Sequence, residues 1–253
     1  MRPDKYPAHA IHQAARFRAA FFLGAVWPVS ANTRKWLNWY MEIISTNTGK
    51  PTTFRWKGKD VVTGIYKSPQ PDGIYLDREG VRNDYIGNPK VHGGSYKAFY
   101  MFAASEYPYW QRQFHRPEWG YGLFGENLSV DGLDESALRM GAVYRLGEAV
   151  IRITTPREPC YKLGVRFGDQ GIIDRFIKRG RPGAYGQVIE PGRVRPGDRM
   201  SLQEARGESP DIASFFKMIY AGEKDPQILA GALDTDILPE KMRKQLRRWQ
   251  RLG

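Results

Sequence analysis

The chain has 253 residues and a mass of 29.0 kDa, enough for one medium-sized domain with an appendage. Hydrophobic residues make up 41% and charged residues 26%, values that exclude a chain disordered throughout. The single cysteine, Cys160, excludes an internal disulfide and a zinc site built on paired cysteines. The net charge of +12 favours an anionic partner, either a phosphorylated cofactor or nucleic acid.

Residues 1–40 differ in composition from the rest and carry six basic residues against one acidic residue. After Arg18 come a short apolar run, 19–27, and then a small-residue zone, and this order resembles a secretory signal. The alternative is a basic extension before a domain that starts near Met41. The apolar run is too short to span a bilayer as a helix. We expect a cytoplasmic protein without a membrane anchor, with a cleaved signal within 1–40 as the alternative.

From Met41 to about residue 204 the residue pattern is mostly typical of short strands separated by Gly- and Pro-containing turns, which predicts a mainly β fold. It favours a barrel or sandwich with peripheral helices over a doubly wound sheet. One hairpin is predicted with strands 53–56 and 61–66, and another over 142–155 with its bend at 146–148. Further strands are predicted at 185–189 and 200–202, and helices at 102–114 and 172–177.

The C-terminal segment, 205–253, is predicted to form a small three-helix domain separate from the domain at 41–204. Helix starts are indicated at Asp211, at Asp225 followed by Pro226, and at Leu238-Pro239-Glu240. The last helix is rich in Lys and Arg. A solvated face is the commoner explanation for such a stripe, with nucleic-acid binding as the alternative, so we do not expect nucleic acid as a partner.

The candidate reactive group is Cys160, within the segment 154–162. Pro156 and Pro159 stiffen the backbone before it, and Arg157 and Lys162 bracket it with positive charge that favours the thiolate form. A rigidly held thiolate suits a soft metal or an electrophilic substrate. The alternative is a cysteine buried as a small hydrophobic residue.

Two further segments are candidates for the same pocket. His92-Gly93-Gly94 followed by Lys97 combines a flexible turn with basic side chains, and the loop 124–128 offers Glu126 and Asn127. Taken singly, each is more often a simple turn. Neither matches a nucleotide-binding loop or a dinucleotide fingerprint.

Together these blocks resemble the MOSC domain, the C-terminal domain of molybdenum-cofactor sulfurases, and within it the stand-alone bacterial YiiM-like branch. The resemblance begins near Met41 and covers nearly all of the chain beyond, whereas residues 1–40 fall outside it. The stretch 82–89 departs from the family's usual Gly/Asp/Gln-rich composition. The blocks that carry the resemblance are His92-Gly93-Gly94, Lys97-Ala98, Gly125-Glu126-Asn127-Leu128, Gly132-Leu133, 156–163 and 179–185.

The resemblance implies a β-barrel-like fold that binds a molybdenum cofactor of the molybdopterin type, with Cys160 as the molybdenum ligand. It further implies that Thr155 and Arg157 help to hold the cofactor, and that Lys67 and the His92-Gly93-Gly94 turn lie near the pterin or its phosphate. Lys97 would help to offset the cofactor's negative charge. Asn127 matches a motif position without an assigned role. Pyridoxal phosphate is not expected.

The activity implied by the resemblance is reduction of N-hydroxylated compounds such as 6-hydroxylaminopurine to the amine. No flavin or nicotinamide motif is visible, so a separate electron-donor reductase is expected as partner. Cleavage of the N–O bond also needs protons, for which His92 and Glu126 are candidate donors. The alternative function is a cofactor or sulfur carrier that uses Cys160 without redox turnover. A dimer is one expected oligomeric state among others.

Overall fold

The structure is a computed structural model that describes residues 41–252 of the chain. The basic extension and the signal predicted within 1–40 lie outside the described residues. The strands are β1 Met41–Gly49, β2 Thr52–Trp56, β3 Lys59–Thr63, β4 Lys67–Pro69, β5 Ile74–Asp77, β6 Gly80–Val81, β7 Phe99–Ala103, β8 Leu128–Asp131, β9 Val143–Leu146, β10 Ala149–Pro156, β11 Ala184–Glu190, β12 Gly192–Val194 and β13 Arg199–Glu204. The helices are α1 Pro89–His92, α2 Tyr107–Phe114, α3 Tyr161–Phe167, α4 Ile172–Arg179, α5 Ile212–Tyr220, α6 Pro226–Leu233 and α7 Glu240–Leu252.

Seven strands close into a barrel in the order β13-β9-β10-β11-β7-β8-β1, because β1 pairs with both β8 and β13. All of these pairings are antiparallel except β7 with β8, which is parallel. Closure leaves the barrel strands without a free edge. Fully buried Ile43, Met101, Leu128 and Ile151 contribute to its core. The structure confirms the predicted mainly β, barrel-like fold.

The two predicted hairpins are present. β2 and β3 pair from Thr52 opposite Thr63 to Trp56 opposite Lys59, around a turn in which Lys57 and Gly58 both have positive φ. The second strand ends at Thr63 and not at residue 66. The chain leaves the ladder at this point because Gly64 packs directly against the backbone of residue 85. The second hairpin joins β9 to β10.

The helix predicted to start at Phe102 is partly wrong. Phe102 lies in β7, and the helix α2 begins only at Tyr107, after a 3₁₀ turn at Ala104–Glu106. Every residue of β7 is buried, so the strand shows no alternation of apolar and polar residues. A short, uniformly apolar run of this kind is not distinguishable from a helix by periodicity. The second predicted helix is confirmed as α4.

The C-terminal helices start where their capping residues predicted. The Asp211 side chain accepts from Ser214 N at 2.8 Å at the start of α5, and the Asp225 side chain accepts from two backbone N–H groups at the start of α6. Phe215 of α5 and Leu246 of α7 belong to the same apolar cluster as the barrel core. The division at 204/205 into separate domains stays a prediction.

Among residues 41–252 no helix combines the length and apolarity needed to cross a bilayer.

Candidate functional site

The structure contains a cleft with about 700 Å³ of empty space, part of which is open to solvent. Its walls come from the end of β3, the segment 84–87, the 3₁₀ turn Ser95–Lys97 and the segment that follows β10. Residues far apart in the sequence meet here because the barrel brings the ends of several strands together. Of the predicted site residues, six line the cleft: Lys67, His92, Lys97, Asn127, Arg157 and Cys160.

Cys160 lines the cleft as the residue that caps the start of α3. Its backbone is extended, with φ −132° and ψ 168°, and Leu163 N donates to its carbonyl at 2.8 Å. The residue is partly exposed, so the alternative of a cysteine sealed inside the apolar core does not hold. Within residues 41–252, no group of three or more His, Cys, Asp and Glu side chains is arranged to hold a metal ion.

The cleft carries more positive than negative charge. Lys67, Lys97, Arg157 and Lys162 face two carboxylates, Asp84 and Glu158. The Arg157 guanidinium is buried, donates to the carbonyl of Phe124 and lies 5.0 Å from the ring centre of Tyr100. This packing holds the charge in one position. An anion bound in the cleft would meet a fixed cationic wall.

His92, the last residue of α1, is held in its neutral form. Burial lowers the pKa of its imidazole to about 4, and the positive charges of Lys162, Lys97 and Arg157 act in the same direction. At pH 7 the side chain therefore lacks the extra proton of an imidazolium. This electrostatic setting disfavours the predicted role of His92 as a proton donor.

Glu126 is fully buried, and its predicted role as a proton donor to substrate stays a prediction. Its carboxylate is fully buried and outside the cleft lining. It accepts hydrogen bonds from Tyr107 OH, from Gly122 N at 2.8 Å, from Phe124 N at 3.1 Å and from Ser129 Oγ at 2.8 Å. Glu126 thus organises the loop that precedes β8, and Arg157 binds the carbonyl of Phe124 in that same loop.

Asn127 connects this loop to the cleft floor. Its side-chain oxygen accepts from Tyr100 N at 3.1 Å, and its amide donates to Asn47 O at 3.2 Å and to Asp84 Oδ2 at 2.9 Å. Asp84 in turn forms a buried ion pair with Lys67, with Lys67 Nζ 2.6 Å from Asp84 Oδ1. The side chain of Asn127 is therefore fully engaged with protein groups.

Three predicted cofactor contacts are not part of the cleft lining, namely Gly93, Gly94 and Thr155. Gly94 has φ +85° and precedes the turn that positions Lys97, with Lys97 N donating to Gly94 O at 2.8 Å. Thr155 is buried in β10, and its hydroxyl has no hydrogen-bond partner among the described residues. The glycines shape the turn, and Thr155 is buried within β10.

Asp84 and Tyr85 also line the cleft, although neither is among the predicted site residues. They belong to the stretch 82–89, which departs from the family pattern. The segment is held tightly, since Gly49 N donates to Asp84 Oδ1 at 2.7 Å and Tyr85 N donates to Gly49 O at 2.9 Å. Gly49 and Gly64 were the features of the sequence that could have indicated the close approach of this segment. A Cβ on Gly64 would lie 1.7 Å from Tyr85 O.

Comparison with known proteins identifies the class of this fold and cleft. The profile of the MOSC domain matches residues 88–201. The chain is 37% identical over 202 residues to the uncharacterized protein YflK of Bacillus subtilis (strain 168), spanning 79% of this chain and 90% of YflK. It is 41% identical over 130 residues to the protein YiiM of Escherichia coli (strain K12), spanning 49% of this chain and 57% of YiiM. A protein of Gibberella moniliformis (strain M3125 / FGSC 7600) named "Reductase" is 27% identical over 197 residues, which span 75% of this chain and 35% of that protein.

Solved structures agree with these relationships. The crystal structure of YiiM from Escherichia coli superposes with a TM-score of 0.64 at 25% identity, covering 85% of this chain and 93% of that one. YiiM from Geobacillus stearothermophilus gives a TM-score of 0.69 at 24% identity, covering 83% of this chain and 99% of the other, and supports the fold alone. The chain belongs to the MOSC domain family, and its structure resembles those of the YiiM proteins.

Proposed function

We propose that the cleft binds a molybdenum cofactor of the molybdopterin type and that the protein reduces N-hydroxylated compounds, 6-hydroxylaminopurine being the test case. The observation that carries the proposal is the position of Cys160, a partly exposed thiol in a cleft with a surplus of fixed positive charge. Membership of the MOSC family supports a function associated with this cofactor. A relative named "Reductase" supports redox activity.

The residues present fit the proposed group. A thiolate is a soft donor, and Cys160 would be the protein residue that holds the molybdenum. Lys97, Arg157 and Lys162 provide charge for an anionic pterin phosphate. The bound cofactor would supply the two-electron chemistry.

The protein's own residues would bind and orient the cofactor and shield it from water. Arg157 stays buried against Tyr100 and presents a fixed cation, and Lys97 lies 5.2 Å from the ring centre of Tyr185. Because the electrons must come from outside the chain, a separate electron-donor reductase is part of the proposal.

The test uses protein produced in cells that make the cofactor and purified without oxygen. We expect about one molybdenum per chain, because one cysteine is available as ligand, and reduction of 6-hydroxylaminopurine with reduced methyl viologen as electron source. Cys160→Ser keeps the shape of the side chain but removes the soft donor, and should lose both metal and activity. Equal molybdenum content in C160S would contradict the proposal. Metal bound through Cys160 without turnover, under any electron donor, would instead support the carrier alternative.

A further inference from the structure

The lining of the cleft includes a buried ion pair between Lys67 and Asp84. The side chains of Lys67 and Asp84 are 7% and 4% exposed, and both residues line the cleft. Lys67 Nζ contacts both carboxylate oxygens, with 2.6 Å to Oδ1. A buried ion pair is costly unless further hydrogen bonds satisfy its atoms, and here the carboxylate of Asp84 accepts two more.

Asp84 is held from three sides. Besides Lys67, its Oδ1 accepts from Gly49 N at 2.7 Å and its Oδ2 accepts from Asn127 Nδ2 at 2.9 Å. Lys67 is fixed as well, because it begins β4 and pairs there with Gly49 of β1. The backbone of the loop at Gly122 also packs against it, since a Cβ on Gly122 would lie 2.8 Å from Lys67 O. The ammonium group therefore has one defined position.

An ammonium group has three N–H donors, and the ion pair engages two of them. Because Lys67 lines the cleft, its third N–H can donate to a molecule bound there. The charge of Lys67 is already balanced by Asp84, so this lysine adds little to the binding of an anionic phosphate. The cleft lining also includes the cations Lys97, Arg157 and Lys162.

We propose that Lys67 is the proton donor for cleavage of the N–O bond, and that Asp84 is the positioning residue that holds it. This inference rests on the proposed reductase function. The overall change is R–NHOH + 2 e⁻ + 2 H⁺ → R–NH₂ + H₂O, with both electrons from the external reduced donor. The N–O bond breaks, the Lys67 proton goes to the departing oxygen, which leaves as water, and the second proton comes from solvent. Solvent then reprotonates the neutral Lys67 amine.

The charges around Lys67 allow such a step. Burial lowers the pKa of its ammonium group, while Asp84 and, more weakly, Glu126 raise it and Arg157 lowers it. The other ionisable groups of the cleft are Lys97, Glu158, Cys160 and Lys162, the tyrosines Tyr85, Tyr100 and Tyr185, and the neutral His92. A lowered pKa makes an ammonium a better acid near neutral pH.

The experiment measures kcat against pH for the molybdenum-loaded enzyme with reduced methyl viologen as donor. The rate should fall at alkaline pH as Lys67 loses its proton. Asp84→Asn removes the charge that favours the ammonium, so this alkaline limb should move to lower pH by about 1 to 3 units. Asp77→Asn, which neutralises an exposed carboxylate paired with Arg82, is the matched control and should leave the limb unchanged.

Lys67→Arg is the second variant, because Asp84→Asn could fail to fold. Arginine keeps the positive charge and the partner but does not release its proton. If Lys67 donates the proton, K67R should lose about 100-fold or more in kcat with little change in KM. Wild-type rates in K67R, or an unmoved alkaline limb in folded D84N, would overturn the proton-donor role while leaving the reductase function intact.

A readout independent of turnover separates the two proposals further. The pH dependence of Lys67 acetylation by trace acetic anhydride, followed by mass spectrometry, reports the pKa of Lys67 itself. The pKa should be lower in D84N than in the wild type by the same shift as the alkaline limb, and a difference between the two shifts would overturn the assignment. If wild-type protein loaded with molybdenum shows no reductase activity at all, the proposed function fails and the proton-donor role fails with it.

Discussion

Trp56 stacks on Tyr161, the residue that follows Cys160, with ring centroids 5.1 Å apart and an interplanar angle of 24°. Phe54 of the same strand also contacts Tyr161, at 6.4 Å. The hairpin formed by β2 and β3 is a two-stranded sheet with no ladder to the other described strands. Aromatic contacts with the start of α3 thus tie the hairpin to the segment that presents the thiol.

Trp56→Ala should loosen this hairpin. Loss of the stacked pair and its apolar contact is expected to cost about 1–3 kcal/mol of local stability, because aromatic pairs add to the free energy of area burial. Hydrogen exchange measured by mass spectrometry should accelerate across β2 and β3, and maleimide labelling of Cys160 should become faster. Thr53→Ala, at an exposed position of the same strand, is the control. Unchanged exchange in W56A would mean that other contacts hold the hairpin.

Features encoded within a few neighbouring residues were predictable from the sequence. The turn at Lys57-Gly58 and the caps Asp211 and Asp225 lie beside the elements that they define. The stiff segment around Cys160 was visible for the same reason, because Pro156 and Pro159 act locally.

Features that depend on distant partners were not predictable. Asp84 contacts Lys67 and Asn127, which are 17 and 43 residues away, and no local pattern marks such a pair. The full burial of Glu126 was not predictable either, because its motif position does not reveal burial. The start of the helix at Phe102 was misplaced because β7 is buried on both faces, which removes the period of two that identifies a strand.

Gly64→Ala should disrupt the segment that carries Asp84 and Tyr85. A Cβ at position 64 would lie 1.7 Å from Tyr85 O, and a backbone atom cannot move aside without moving the segment. We expect a loss of about 3 kcal/mol in the free energy of unfolding, measured by urea denaturation. Gly58→Ala is the control because its Cβ meets open space, so only its positive φ of 79° opposes the substitution, at a cost of about 1–2 kcal/mol. Equal losses in the two variants would contradict this account of Gly64.

Glu126→Gln should destabilise the fold without removing a group from the cleft. The fully buried carboxylate accepts from Tyr107, Ser129 and two backbone N–H groups, and a glutamine would turn one acceptor into a donor facing donors. The expected loss is about 2–4 kcal/mol in urea denaturation. Glu118→Gln, at an exposed pair with Arg116, should cost no more than about 1 kcal/mol. E126Q that is as stable as the wild type would rule out the structural role assigned to Glu126.

His92 should make the protein less stable at acid pH. Its pKa is about 4 in the folded protein and 6.5 as a free side chain, so between these values the unfolded chain binds the proton and the folded protein does not. The stability that this difference provides is present above pH 6.5 and is lost as the pH falls towards 4. His92→Gln lacks the titrating group, so the wild type should lose about 1–3 kcal/mol more than H92Q between pH 7 and pH 4. Urea denaturation of both proteins at several pH values measures the difference, and parallel stability curves would show that His92 titrates normally in the fold.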